Sequence, residues 1–178
     1  MQVGLFAIHV VVGLVIAAHG SQKLFGLFGG HGPEGTGRFM ESLGLRPGRR
    51  MAVAAGMNEL LGGLLLATGL FVPGAAALIG ATFLVAARTV HAGKGPWNSD
   101  GGWEYPLVLS TVALGLAFNG AGTWSLDHAI GWDVSGLWWG VGATAVAVIG
   151  GAAVLIGARL SAAPHPPRGT AGPAADAR

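Results

Sequence analysis

Apolar residues run in long blocks along this chain, separated by short stretches dense in glycine, proline and charge. Five blocks approach the roughly 20 residues that carry a helix across a bilayer. They cover about residues 3–23, 51–72, 75–91, 103–119 and, within 131–160, Val134–Leu160. The pattern predicts an all-α, polytopic membrane helix bundle. Its core of four helices occupies residues 1–130, and a fifth transmembrane helix follows. Between the first two blocks, the run from Gly26 to Gly37 is so rich in glycine that it predicts a loop. Thr36–Leu45 predicts a turn or two of amphipathic helix, with Phe39, Met40 and Leu43 dipping into the interface and Arg38 and Glu41 wet. Phe71–Gly74 predicts a tight turn, which makes the second and third blocks antiparallel neighbours. The Pro/Ala/Gly-rich stretch 161–178 predicts a disordered cytoplasmic tail.

Composition supports the membrane reading. The chain is 52% hydrophobic and 10% charged, against about 25% charged in soluble domains. There is no cysteine, which excludes disulfides, thiol redox chemistry, iron–sulfur ligation and Cys-type zinc sites within the chain. No metal ligand set is assigned. No Lys/Arg run is interleaved with aromatics, so nucleic acid is not an expected partner.

Charge adds an orientation. With five crossings, all ten Lys and Arg fall on one side: in the loop after the first block, at the end of the third, and after the fifth. The positive-inside rule then places the N-terminus outside and the C-terminus in the cytoplasm. The expected location is the bacterial cytoplasmic membrane.

The second block carries a single acid, Glu59, near its middle. A carboxylate at bilayer depth costs about 2.5 kcal/mol or more, so it is seldom there without a partner or a task. Ala52, Ala55, Gly56, Glu59, Gly62 and Gly63 recur at three-to-four spacing and form one small-residue face that admits a neighbouring helix. Gly136 and Gly140 suggest a similar contact in the fifth block. Counting 1.5 Å per residue, Glu59 lies roughly 18 Å from the outer helix ends and Arg88 roughly 21 Å. His19 and Glu104 lie at roughly 24 Å and His91 at roughly 25 Å, with Lys23 at the inner edge. Glu59–Arg88 is the expected buried ion pair. Each of the groups near the edge also has a plain reading as an interfacial anchor. Asn58 reads as a bond across helices, and His9, alone in the outer half, as a packing histidine.

Four motifs then carry a resemblance. They are His19-Gly20-Ser21-Gln22-Lys23-Leu24-Phe25-Gly26, Asn58-Glu59-Leu60 with Gly62, Gly63 and Gly69, Gly102-Trp103-Glu104-Tyr105-Pro106-Leu107, and Gly120 to Asp127. Over about residues 3–130 the chain resembles the DoxX family of small bacterial membrane proteins. Ala121 departs from the proline common at its position in the family. The resemblance implies a four-helix membrane bundle. Relatives include a subunit linked to thiosulfate:quinone oxidoreduction and others associated with membrane redox complexes.

Three functions compete. The first is a quinone- or quinol-binding subunit of a redox-linked complex. Glu59, His19, Arg88 and His91 would carry the proton chemistry, and Asn58, Lys23, Glu104 and Trp103 would complete the binding site. As an enzyme it would be a quinone-linked oxidoreductase subunit. Haem has only His19 and His91 to recommend it, so electrons must come from a partner, such as a soluble or membrane oxidoreductase, or pass directly between substrates. The second is a scaffold or assembly subunit, which also leaves room for an oligomer. The third is a small proton or anion transporter, against which stands the lack of an inverted repeat.

Overall fold

The computed structural model describes residues 2–132 and 134–161. The tail expected to be disordered lies, except for Ser161, outside the described residues. The described chain is helical, without a strand. The helices are α1 (Gln2–Phe25), α2 (Gly32–Ser42), α3 (Gly48–Thr68), α4 (Val72–Thr89), α5 (Glu104–Asn119), α6 (Leu126–Ala129) and α7 (Leu137–Ser161), with a 3-10 turn at Asn98–Asp100 before α5. Four of them, α1, α3, α4 and α7, are long and apolar enough to cross a membrane. With 16 residues, α5 is about 24 Å long, but it still runs the length of the bundle. Tyr105 at its start meets His19 late in α1, and just past its end Thr123 N donates to Gln2 Oε1 at 3.2 Å.

The chain passes up and down, so one end of the bundle gathers Lys23, Arg88 and α2, and the other gathers Trp124, Trp132, Trp138 and Trp139. We call these the basic end and the tryptophan end.

Contact between α1 and α3 organises the packing, and glycine makes it close. A Cβ at Gly13 would lie 2.4 Å from Ala67 N, one at Gly20 2.4 Å from Leu60 N, and one at Gly63 2.5 Å from Ala17 N. The backbones therefore touch along both helices, the arrangement small-residue faces allow in lipid. The small-residue face of α3 thus meets α1, while Gly62 turns to Ile79 of α4. On the far side α4 packs against α5 and α7, where a Cβ at Gly80 would lie 2.9 Å from Ala147 Cβ. Ile16, Leu66, Ile79, Ala113 and Ala143 join these faces into one core.

Three expectations need correction. The glycine run after α1 is not all loop: α2 begins inside it at Gly32, with Pro33 in its first turn, where a missing N–H costs nothing. The turn before α4 lies at Gly69–Phe71, with Gly69 and Phe71 both left-handed, and Pro73 sits inside the first helical turn for the same reason. Gly136 and Gly140 do not act as a pair. Gly136 precedes α7 at a positive φ of 95°, donates its N–H to Phe118 O at 2.9 Å and has open space where a Cβ would be, whereas Gly140 receives the ring of Phe118.

The loop between α5 and α7 is tied down at the tryptophan end. Asp127 is buried, donates its N–H to Gly69 O at 3.0 Å, and accepts from Phe71 N at 2.9 Å through Oδ1. His9 is buried beside it and bonds Leu66 O through Nδ1 at 3.0 Å, a packing role.

If backbone contact sets the bundle, Gly20→Val should destabilise the protein by about 1–3 kcal/mol. Gly115→Ala, where a Cβ meets nothing within 4 Å, should be neutral or slightly stabilising. Thermal midpoints in detergent check both; equal midpoints would refute the contact argument.

Candidate functional site

Two positions follow directly from the α1–α3 contact. Lys23 lies one turn beyond Gly20, and Glu59 one turn beyond Gly56. A Cβ at Gly56 would lie 2.7 Å from Leu24 Cγ and 3.1 Å from Lys23 Cβ, so the missing side chain leaves room for both side chains to lie along α3. Lys23 Nζ donates to Glu59 Oε2 in a direct ion pair. Glu59 is 3% exposed and Lys23 24%. The buried acid thus has its cation within hydrogen-bonding reach, which offsets much of its desolvation.

This replaces the expected Glu59–Arg88 pair. Depth along a rod ignores rotation about it. The face of α4 toward α3 is marked by Thr82, whose Oγ1 accepts from Asn58 Nδ2 at 3.3 Å. Arg88 lies six residues on, about 120° around the helix, and it is exposed. Lys23, assigned to the inner edge, instead turns its side chain back into the bundle.

Next to the pair stands a second one. His19 Nδ1 lies 3.1 Å from Gln22 Oε1, and His19 Nε2 lies 3.1 Å from Tyr105 OH. The roles can be read off. Gln22 Nε2 donates to Phe28 O, so its Oε1 faces the imidazole and Nδ1 carries the proton. In the neutral ring Nε2 then accepts from the tyrosine hydroxyl. Both ring nitrogens are engaged in hydrogen bonds. Glu59 interacts electrostatically with both His19 and Tyr105.

These groups stand at a cavity of about 560 Å³, within the usual range for small-molecule sites. Its polar lining includes His19, Lys23, Asn58, Glu59, Tyr105 and His91, with threonines from α2 and α4. The rest is mainly apolar: Leu78 and Ala81 of α4, Val146 and Val154 of α7, and Phe39 and Met40 of α2. Helix α2 covers the cavity because it is fastened to the start of α3. Glu41 Oε1 accepts from Gly48 N at 2.9 Å, and a Cβ at Gly37 would lie 2.8 Å from Arg49 N. Arg49 Nε donates to Glu34 Oε1 at 2.5 Å on the exposed side.

The structure therefore brings together five ionisable or amide side chains singled out from the sequence: His19, Lys23, Asn58, Glu59 and His91. His91 Nδ1 is held by Gly101 O at 2.7 Å. Three others stand apart. Arg88 is exposed, Trp103 caps the start of α5, and Glu104 Oε2 accepts from Asn98 N at 3.0 Å in the loop. Tyr105 and Thr82 were missed. Tyr105 is the chain's only tyrosine and directly follows Glu104, so its type and place were a usable signal. A threonine in an apolar helix gives none.

The fold and site define a small polytopic helical membrane protein with a polar cluster facing an apolar cavity. The DoxX family profile matches residues 4–92, from α1 to just past α4. An uncharacterized protein of Haemophilus influenzae (strain Rd) is 30% identical over 128 residues, covering 68% of this chain and 86% of the relative. No solved structure matches. The chain belongs to the DoxX family.

A cycle tests the ion pair. Lys23→Met, which strands a buried carboxylate, should cost about 3 kcal/mol or more, and Lys23→Met/Glu59→Gln should recover much of it. Arg88→Met should leave stability unchanged. Denaturant titration in mixed micelles reads these variants together with Glu59→Gln alone, and additive effects of the two single variants would disprove the coupling.

Proposed function

We propose that this protein binds a quinone or quinol in the cavity, as the membrane subunit of a redox-linked complex. The observation that carries the reading is the arrangement of the cavity, with hydrogen-bonding groups of both kinds beside a long apolar lining. Lys23 Nζ, which commits one of its three N–H groups to Glu59, can donate to a quinone carbonyl. Glu59 and His91 Nε2 can accept from quinol hydroxyls. Tyr105 and His19, joined by a hydrogen bond, can exchange a proton at the edge of the cavity, with Gln22 holding the imidazole in orientation. The chain has no cysteine, so the two electrons of the couple pass to or from a partner oxidoreductase.

Orientation fits the same reading. The Lys and Arg of the described residues gather at the basic end, with Trp97 and Trp103 at that edge and four tryptophans at the other, as expected with the N-terminus outside and the C-terminus in the cytoplasm of a bacterial cell. The polar cluster then lies nearer the cytoplasmic face, where a soluble partner would dock.

Purified protein should carry quinone in its extracted lipids and bind decylubiquinone in a calorimetric titration. Glu59→Gln should weaken that binding by about tenfold or more, while Arg88→Gln should not change it. Absence of quinone from the extract together with no titratable binding would overturn the proposal.

A further inference from the structure

The cavity extends from the polar cluster to the lipid-facing surface, and its wall there is α7. α4 packs between α3 and α7, and all three line the cavity: Ala54 and Asn58 from α3, Ala81 and Val85 from α4, and Val146 and Gly150 from α7. The cavity therefore continues as a groove with α4 as its floor. Two wall residues, Val146 and Val154, are 60% and 39% exposed. The groove thus opens sideways onto the surface that faces hydrocarbon.

Two adjacent glycines on that wall differ in kind. A Cβ at Gly151 would lie 2.8 Å from Leu84 Cδ2 and 3.2 Å from Ala81 O, so Gly151 is needed for α7 to seat on α4. A Cβ at Gly150 would meet only Ala81 Cβ, at an ordinary 3.6 Å. Gly150 is therefore dispensable for packing, and what its missing side chain provides is width in the groove.

We propose that the hydrocarbon tail of the bound quinone leaves the polar cluster along this groove into the bilayer, with Gly150 setting the width available to it. This rests on the quinone reading above. It makes α7 part of the binding site, where the sequence alone offered it no role. A single unbranched or prenyl chain is the committed occupant, because the groove leads from one compact polar cluster to lipid.

The test compares two probes on the full-length protein: decylubiquinone, and the same dimethoxy-methylbenzoquinone headgroup without a tail. Gly150→Leu, and separately Val146→Phe at the rim, should weaken decylubiquinone binding by about tenfold while tailless binding stays within about twofold. Gly142→Leu, at a position whose Cβ meets nothing, should match wild type for both probes. Equal effects on both probes, or none with either variant at an unchanged thermal midpoint, would overturn the tail path and leave the headgroup site standing. If wild type binds neither probe, the quinone reading falls and the tail path with it. A co-purified phospholipid that Gly150→Leu displaces would assign the groove to a different occupant and refute the proposal.

Discussion

Everything in this bundle depends on how closely α1 and α3 approach. In lipid, apolar side chains gain nothing by leaving one hydrocarbon environment for another, so association relies on packing and on the few polar contacts available. Gly13, Gly20, Gly56 and Gly63 let the two helices meet almost backbone to backbone. That proximity brings an ammonium group on one helix to a carboxylate on the other. Wider spacing would leave Glu59 in a low-dielectric interior without its cation. The same spacing places His19, one position before Gly20, where Tyr105 of α5 can reach it.

The charged pair and the cavity are consequences of each other. Small residues on α3, α4 and α7 keep helices close along their main contacts, and where the faces diverge they leave space that no large side chain fills. The polar groups border that space, so they can meet a ligand as well as one another. Helix α2 completes the enclosure through hydrogen bonds to the start of α3 and contributes Phe39 and Met40 from a segment that is not itself membrane-spanning.

Much of this was legible in the sequence. The long apolar blocks define the helices. The three-to-four spacing of small residues on α3 identifies its packing face, and Glu59 stands out as a lone acid in an apolar run. What failed had definite causes. A ruler of depth cannot distinguish Lys23 from Arg88 as the partner of Glu59, because rotation about each helix decides the pairing and a lysine stem is long enough to reach back. Glycine density concealed α2, since its glycines serve contact with α3, at Gly37, and do not all serve turns. The cavity wall on α7 carries no polar residue, so no pattern of charge could announce it.

The bond between Thr123 and Gln2 joins residues 121 apart in sequence, and this bears on the order of assembly. Gln2 is synthesised well before Thr123, so its amide must wait for the segment beyond α5. The hairpin of α1 and α3 can form early, because its glycine contacts need only the first 70 residues or so. Asp127, which fastens the bend between α3 and α4, likewise arrives late. The tryptophan end is therefore closed by residues from the chain's later half. A protein truncated ahead of that loop would keep its first helical pair and lose the fastening over it.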